Sequence, residues 1–267
     1  MSRTVITAGS GPSYSRWAFW PVWTKLLPLT HNCRVVDVSG PAAGNKFISR
    51  SVLTELSKTT PDLVLVQWNL GKYDIYSENP EFLQSVIQGS GIRNFIVDLH
   101  SCQTTAGSGY WCSSYDNTHP WKRYYNETIK SDAGTAMDDL ENMLNLQNLC
   151  AKKNIPYRFF THDTVEHEFL SSNINTRPFY NEIDWDCQII NSVTELYQSH
   201  ESKELHVEIP GHGNAVPNAK FQWYLLSQHL SKKLAQFEIS PRNNWEQIKN
   251  YCDAKATEIH DKYTKVQ

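Results

Sequence analysis

Short apolar runs recur along this chain at the spacing of strand–helix units, and no other feature limits the fold as strongly. The runs are "TVITA" (4–8), "RVVDV" (34–38), "DLVLVQW" (62–68), "NFIVDL" (94–99) and "PYRFFT" (156–161), each ending in small or polar residues. Helical patterns lie between and after them, at 17–27, 47–57, 80–88, 135–153 and 219–237. The pattern at 135–153 is the clearest, because Met137, Leu140, Met143, Leu144, Leu146, Leu149 and Cys150 repeat with helical period. Strands alternating with helices predict a three-layer α/β/α sandwich around a central, mostly parallel five-stranded sheet.

Two stretches depart from this rhythm. The segment 101–131, "SCQTTAGSGYWCSSYDNTHPWKRYYNETIKS", is too long and polar for an ordinary connection and reads as an insertion that carries function or meets a partner. The stretch 166–206 lacks clear periodicity, and "NEIDWDCQIINSVTELYQ" within it reads as a short helix or an irregular strap. The expected organisation is one domain over 1–267, with the insertion at about 101–131 and a helical C-terminal end at about 238–267 that reads as solvated.

A formal net charge of −3 leaves no overall basic field to attract nucleic acid or an anionic membrane. The longest apolar run is far too short to span a bilayer, and the N-terminus enters a strand with no signal-peptide core. A soluble protein made in a cytosol, without membrane insertion, is therefore expected. Six cysteines, Cys33, Cys102, Cys112, Cys150, Cys187 and Cys252, show neither zinc nor disulfide spacing and read as reduced core thiols, with Cys102 and Cys112 the one pair placed to meet. Nine tryptophans and thirteen tyrosines exceed what a core needs, and several fall in loops. Aromatics interleaved with Ser, Thr, Asn and Gly around Trp111, Tyr115, His119, Trp121, Tyr124 and Tyr125 suit a sugar- or protein-binding surface, or a self-packed loop over the sheet edge.

Open parallel sheets bind ligands beyond the carboxyl ends of their strands. That rule gathers Gly9, Ser10, Gly11 and Ser13 after the first run, and Ser39, Gly40, Gly44 and Asn45 after the second. Asn69, Lys72 and Asp74 follow the third, His100 the fourth, His162 and Asp163 the fifth, and His212, Asn214 and Asn218 precede the last helix.

The glycine and serine turn after the first run, "PAAGNKFISRSV", "PDLVLVQWNLGKYDIY" and the closing "NAVPNAKFQWYLLSQHL" resemble, in order and spacing, the SGNH (GDSL-type) hydrolases. The resemblance is greatest to the form encoded by tailed phages of aquatic bacteria, and it spans most of the chain outside the insertion and the last thirty or so residues. It implies an SGNH- or flavodoxin-like sandwich. It also implies a serine nucleophile, a histidine base with an aspartate to orient it, and an oxyanion held by the serine amide, a block-two glycine amide and a block-three asparagine.

Carried over residue by residue, Ala8 and Gly9 anchor the first block and put Ser10 at its middle position and Gly11 at the nucleophile. Pro217 and Asn218 anchor the last block and put Val216 at the histidine and Asn214 at the aspartate. In these registers the triad is lost, and the resemblance implies a pseudoenzyme serving as a virion or tail-associated structural or glycan-binding module. Shifting both blocks gives an active esterase that deacylates host-surface polysaccharide. There Ser10, or less readily Ser13, is the nucleophile and His212 the base, oriented by Glu208 or Asp163. Asn69, with Gly44 or Gly40, matches the oxyanion positions, although the glycine usual two residues before the asparagine is Gln67, and Asn45 next to Gly44 adds a side-chain donor. New chemistry in the old cleft is a third class.

Asn45, Trp111, Tyr115 and Trp121 are the ligand-binding candidates, and other virion proteins or a glycan the expected partners, with homo-oligomerisation left open. "THDTVEHEF" brings His162, Asp163, Glu166 and His167 close enough to suggest a metal, but reads better as a helix start capped by Asp163 or Thr164. "GSGPS" lacks the residues of a nucleotide-binding loop, and Trp17, Phe19, Trp20 and Trp23 read as a core-facing helix stripe. No metal and no cofactor is expected.

Overall fold

The computed structural model describes residues 2–11, 22–41, 44–71, 74–77, 110–113, 131–199, 205–207 and 216–264. Its centre is an all-parallel sheet of five strands in the order β2 (Cys33–Asp37), β1 (Arg3–Gly11), β4 (Leu63–Trp68), β7 (Tyr157–Thr161) and β8 (Gln188–Ser192), while β5 (Asp74–Ser77) and β6 (Tyr110–Ser113) pair antiparallel as a separate ribbon. A two-residue strand, β3 (Gly40–Pro41), takes over from β2 beside β1, pairing Ser10 with Gly40 and Gly11 with Pro41. The change of neighbour follows from Asp37. Its carboxylate accepts from the Thr7 and Thr24 hydroxyls and the Ser39 amide, and after the Val38 amide has donated to Thr7 O at 2.8 Å the pairing passes to Gly40.

Alternation of side chains along each strand makes the three layers. Ile6, Ala8, Val64, Val66, Trp68 and Phe159 face one side, where α2 (Asn45–Leu56) and α3 (Asp132–Lys152) contribute Ile48, Val52, Leu140 and Met143. Val5, Leu63, Leu65 and Phe160 face the other. There α1 (Trp23–Thr30) packs with the helical run that follows the short helices α4 (His167–Ser172), α5 (Arg177–Glu182) and α6 (Val193–Gln198), starts as α7 (Ala219–Tyr224) and passes through a π-helical stretch (Leu225–Leu230) into α8 (Ser231–Leu234). β4 is buried on both faces, as a central parallel strand must be, which is why Leu63 to Val66 is a continuous apolar run rather than an alternating one.

The five-strand expectation is met, with one member different from those read off the sequence. The fifth strand is Gln188–Ser192, inside the stretch expected to be helical or irregular, and the short helix Val193–Gln198 follows it directly. Ser192 caps that helix by accepting from the Glu195 amide, so one residue ends the strand and starts the helix. The 94–99 run and the 80–88 pattern lie outside the described residues. The C-terminal helix α9 (Trp245–Thr264) is not wholly solvated, since Cys252, Ala256 and Ile259 form a buried stripe along it. Among the described residues no helix is long and apolar enough to cross a membrane.

Candidate functional site

Strand order reverses between β1 and β4, because the chain steps to β2 on one side and to β4 on the other. The crevice at the carboxyl ends of those two strands is where this topology leaves room for a ligand. Gly9, Ser10 and Gly11 end β1 there, and Gly44, Asn45 and Asn69 lie at the same edge. Ser10 is backbone-paired with Gly40, so the first-block and second-block segments are adjacent strands. Gly44 occupies the N-cap position of α2 in an extended conformation.

Asn45, the first residue of α2, is 1% exposed and its side chain is fully engaged. Its Oδ1 accepts from the Asn69 amide at 2.8 Å and its Nδ2 donates to Asp139 Oδ1 at 2.7 Å. The second Asp139 oxygen accepts from the Gly71 amide at 2.7 Å. One carboxylate on α3 thus fixes both the start of α2 and the turn after β4, and Asn69 is itself fully buried. The sequence offered a signal for Asp139 that went unread. It is an acidic residue four positions from Thr135 and Met143 on the apolar face of the most regular helix.

Gln67, standing where the resemblance implies glycine, joins three elements. Its Oε1 accepts from the Trp23 indole at 2.9 Å and its Nε2 lies 3.4 Å from His162 Nδ1. On the neighbouring strand Gly9 is cross-paired with it, and a Cβ at Gly9 would stand 3.1 Å from Gln67 Cβ. The glutamine and the glycine are therefore complementary. His162 extends the β4–β7 ladder by donating its amide to Trp68 O at 2.7 Å, and its carbonyl accepts from the Thr194 amide.

Beside this edge lies a pocket of about 510 Å³ between the turn after β4, the first half of α3 and the segment following β7. Leu70, Ala136, Leu140, Phe169 and Leu170 form an apolar wall. Thr135 and Thr164 bring hydroxyls, and Asp132, Asp163 and Glu166 join Asp139 in bringing carboxylates. Such a lining repels anions and presents acceptors to donor groups.

The helix expected after "THD" begins at His167, with Glu166 at its N-cap position and no side-chain cap, so neither Asp163 nor Thr164 caps it. Asp163 accepts instead from Thr194 Oγ1 at 3.3 Å. His167 turns away from His162 toward Tyr180, whose hydroxyl is 3.0 Å from its Nδ1, and Trp185. Among the described residues no three His, Cys, Asp or Glu side chains converge as metal ligands.

Of the other sequence candidates, Val216 lies in a two-residue strand opposite Val207, and Trp111 in a strand opposite Tyr76. His212, Asn214, Tyr115, Trp121 and Ser13 lie outside the described residues, as do Trp17, Phe19 and Trp20. Cys33, Cys150, Cys187 and Cys252 are buried free thiols, and burial pushes the Cys150 and Cys252 thiols up to about 12. No family model matches the chain, and no curated protein matches it.

Proposed function

We propose that this chain is an SGNH-like protein of the kind tailed phages encode, carried on the virion, that binds a hydroxyl-rich glycan at the carboxyl edge of its sheet without hydrolysing it. The observation that carries the reading is the pocket beside that edge. Its 510 Å³ is within the range of about 300–1,000 Å³ common to small-molecule sites. Its Phe169 and leucine wall suits the C–H face of a sugar ring, while the carboxylates of Asp132, Asp163 and Glu166 accept from hydroxyl groups. Loss of the triad in the anchored registers supports the absence of hydrolysis, and the phage and virion parts of the reading rest on the resemblance alone.

A titration with neutral oligosaccharides, followed by calorimetry and by amide chemical shifts, tests this reading. Binding is expected to weaken about fivefold or more in Phe169→Ala and in Asp163→Asn, corresponding to roughly 1 kcal/mol each. A fluorophosphonate probe is expected to leave the protein unlabelled. Saccharide binding that ignores both substitutions would remove the pocket from the proposal.

A second reading, the esterase, is favoured by the placement of Ser10, paired with Gly40, at the same edge as Gly44 and Asn69. Hydrolysis of p-nitrophenyl acetate together with fluorophosphonate labelling, both lost in Ser10→Ala, would establish it in place of the first.

A further inference from the structure

The C-terminal helix α9 is joined to the sandwich through the segment 238–244, which is held by the Arg3–Glu238 ion pair at its start and, from Ser240 onward, by one short stretch, Leu29 to Asn32. Asn32 donates its amide to Ser240 O at 2.8 Å, and the Arg242 amide donates to Thr30 O at 2.7 Å. Arg242 Nε donates to His31 O at 2.7 Å, Asn244 Nδ2 to Leu29 O at 3.1 Å, and His31 forms an isolated antiparallel bridge with Pro241.

At the centre of this clasp is the His31 side chain, fully buried. Its Nδ1 is 2.8 Å from Thr30 Oγ1 and its Nε2 is 2.6 Å from Ser231 Oγ of α8. The Trp245 ring, first in α9, meets the imidazole edge-on at 5.1 Å and packs at 4.4 Å on Trp223 of α7. The hydroxyl proton of Thr30 goes to Leu26 O at 2.9 Å, so Thr30 accepts from His31 Nδ1–H, and both ring nitrogens are engaged by hydroxyls.

We propose that His31 is an acid-sensitive latch: protonating its ring releases α9 and the segment leading to it while the parallel sheet stays folded.

The charged surroundings of the ring favour this behaviour. The segment leading to α9 supplies the Arg242 guanidinium, and β2 supplies Cys33, whose thiol burial pushes up to about 11. On α1, Lys25 is committed to Asp37, and on α9 Glu246 and Asp253 are engaged by Lys249. On α8, Lys232 and Lys233 are exposed. Among the described residues no carboxylate pairs with the imidazole, so an imidazolium there has no counter-ion.

Burial lowers the His31 pKa from 6.5 to about 4. A group whose pKa is depressed in the docked state gives its full stabilisation above the free value and loses it as pH falls from 6.5 toward 4. Docking of α9 is therefore expected to weaken on the order of 10²-fold between pH 7 and pH 4.5.

Hydrogen exchange, corrected for the intrinsic effect of pH, measures this on the full chain. Amides over 240–264 are expected to lose protection on the order of 10²-fold while those of β1, β4 and β7 keep theirs, and His31→Gln is expected to remove the pH dependence. Unchanged protection of 240–264 at pH 4.5, simultaneous loss throughout the sheet, or an acid response that persists in His31→Gln would each overturn the latch. If His31→Gln does not fold, the wild-type titration decides: the Trp245 indole N–H resonance must shift with the same midpoint as the His31 ring proton, and a Trp245 signal that ignores that midpoint overturns the proposal.

Discussion

Asn45 Nδ2 donates to Asp139 Oδ1 at 2.7 Å across 94 residues of sequence, and with the Asn69 and Gly71 amides this makes a buried polar lock between α2, α3 and the turn after β4. A buried carboxylate is tolerated only when its oxygens are satisfied, and here one accepts from Asn45 Nδ2 and the other from the Gly71 amide.

Truncating either member is expected to destabilise the protein by about 2–4 kcal/mol, because each deletion leaves buried donors or acceptors unmet. Urea denaturation of Asn45→Ala, Asp139→Ala and the double variant forms a cycle. The double variant is expected to lose clearly less than the sum of the singles, and strict additivity would mean that the two side chains are not coupled.

Gly40 is required by its neighbour rather than by its backbone angles. A Cβ built there would lie 2.4 Å from Phe47 Cε1 and 2.8 Å from Cζ, inside the edge of a ring that is itself buried. Gly40→Ala is expected to cost about 1–3 kcal/mol through overpacking. Phe47→Leu, which removes the offending ring atoms, is expected to recover part of that loss, so that the pair is less destabilised than the two single effects added together. Thermal unfolding of the three variants decides the matter, and a double variant worse than the sum would place the clash elsewhere.

The same contrast between local pattern and tertiary need separates what could be read in the sequence from what could not. The strands at 4–8, 34–38, 62–68 and 156–161 were legible because each is a short apolar run bounded by polar residues, and α3 because its apolar positions keep helical period. β8 was not. "QIINS" sits in a polar neighbourhood, alternates weakly, and becomes a strand through pairing with Tyr157–Thr161, a register that includes a bulge. At the site, Asn45 and Asn69 stood out as polar residues after strands, but their mutual engagement depends on Asp139, far off in sequence. In the sequence Gln67 stands out only as a departure from glycine. Its function as a bridge from Trp23 to His162 arises from side chains on three separate elements, which no local window contains.

Trp68 and Tyr157 give a test of buried hydrogen bonding in the same sheet. The indole donates to the Tyr157 hydroxyl at 2.7 Å, and the tryptophan is fully buried. Tyr157→Phe keeps the ring and deletes the acceptor, so its cost reports the stranded indole N–H, expected at about 1–3 kcal/mol. Trp68→Phe in the Tyr157→Phe background removes the stranded donor, and recovery of part of that loss relative to Trp68→Phe alone is expected in a denaturant cycle. No coupling between the two positions would show that this hydrogen bond is not a determinant of stability.

Asp37 and Lys25 supply a pH dependence of opposite origin to that of His31. Burial alone would raise the Asp37 pKa, but the Lys25 ammonium at 2.8 Å and the Ser39 hydroxyl and amide more than offset it, so the carboxyl titrates below its usual value of 3.8. A depressed carboxyl pKa contributes stability that is present above the unfolded value, near 3.8, and is lost as pH falls through the lower folded one. Lys25→Met is expected to cost about 0.5–1 kcal/mol at pH 7, a modest figure because the lysine side chain is 46% exposed and its charge is screened by solvent. As acid neutralises Asp37, that difference between wild type and Lys25→Met should shrink toward zero, and adding salt at pH 7 should shrink it in the same way. Chemical denaturation at pH 7 with and without added salt, and at pH 3, measures both effects, and a difference that is equal at the two pH values would show that Lys25 acts through packing of its methylene stem rather than through its charge.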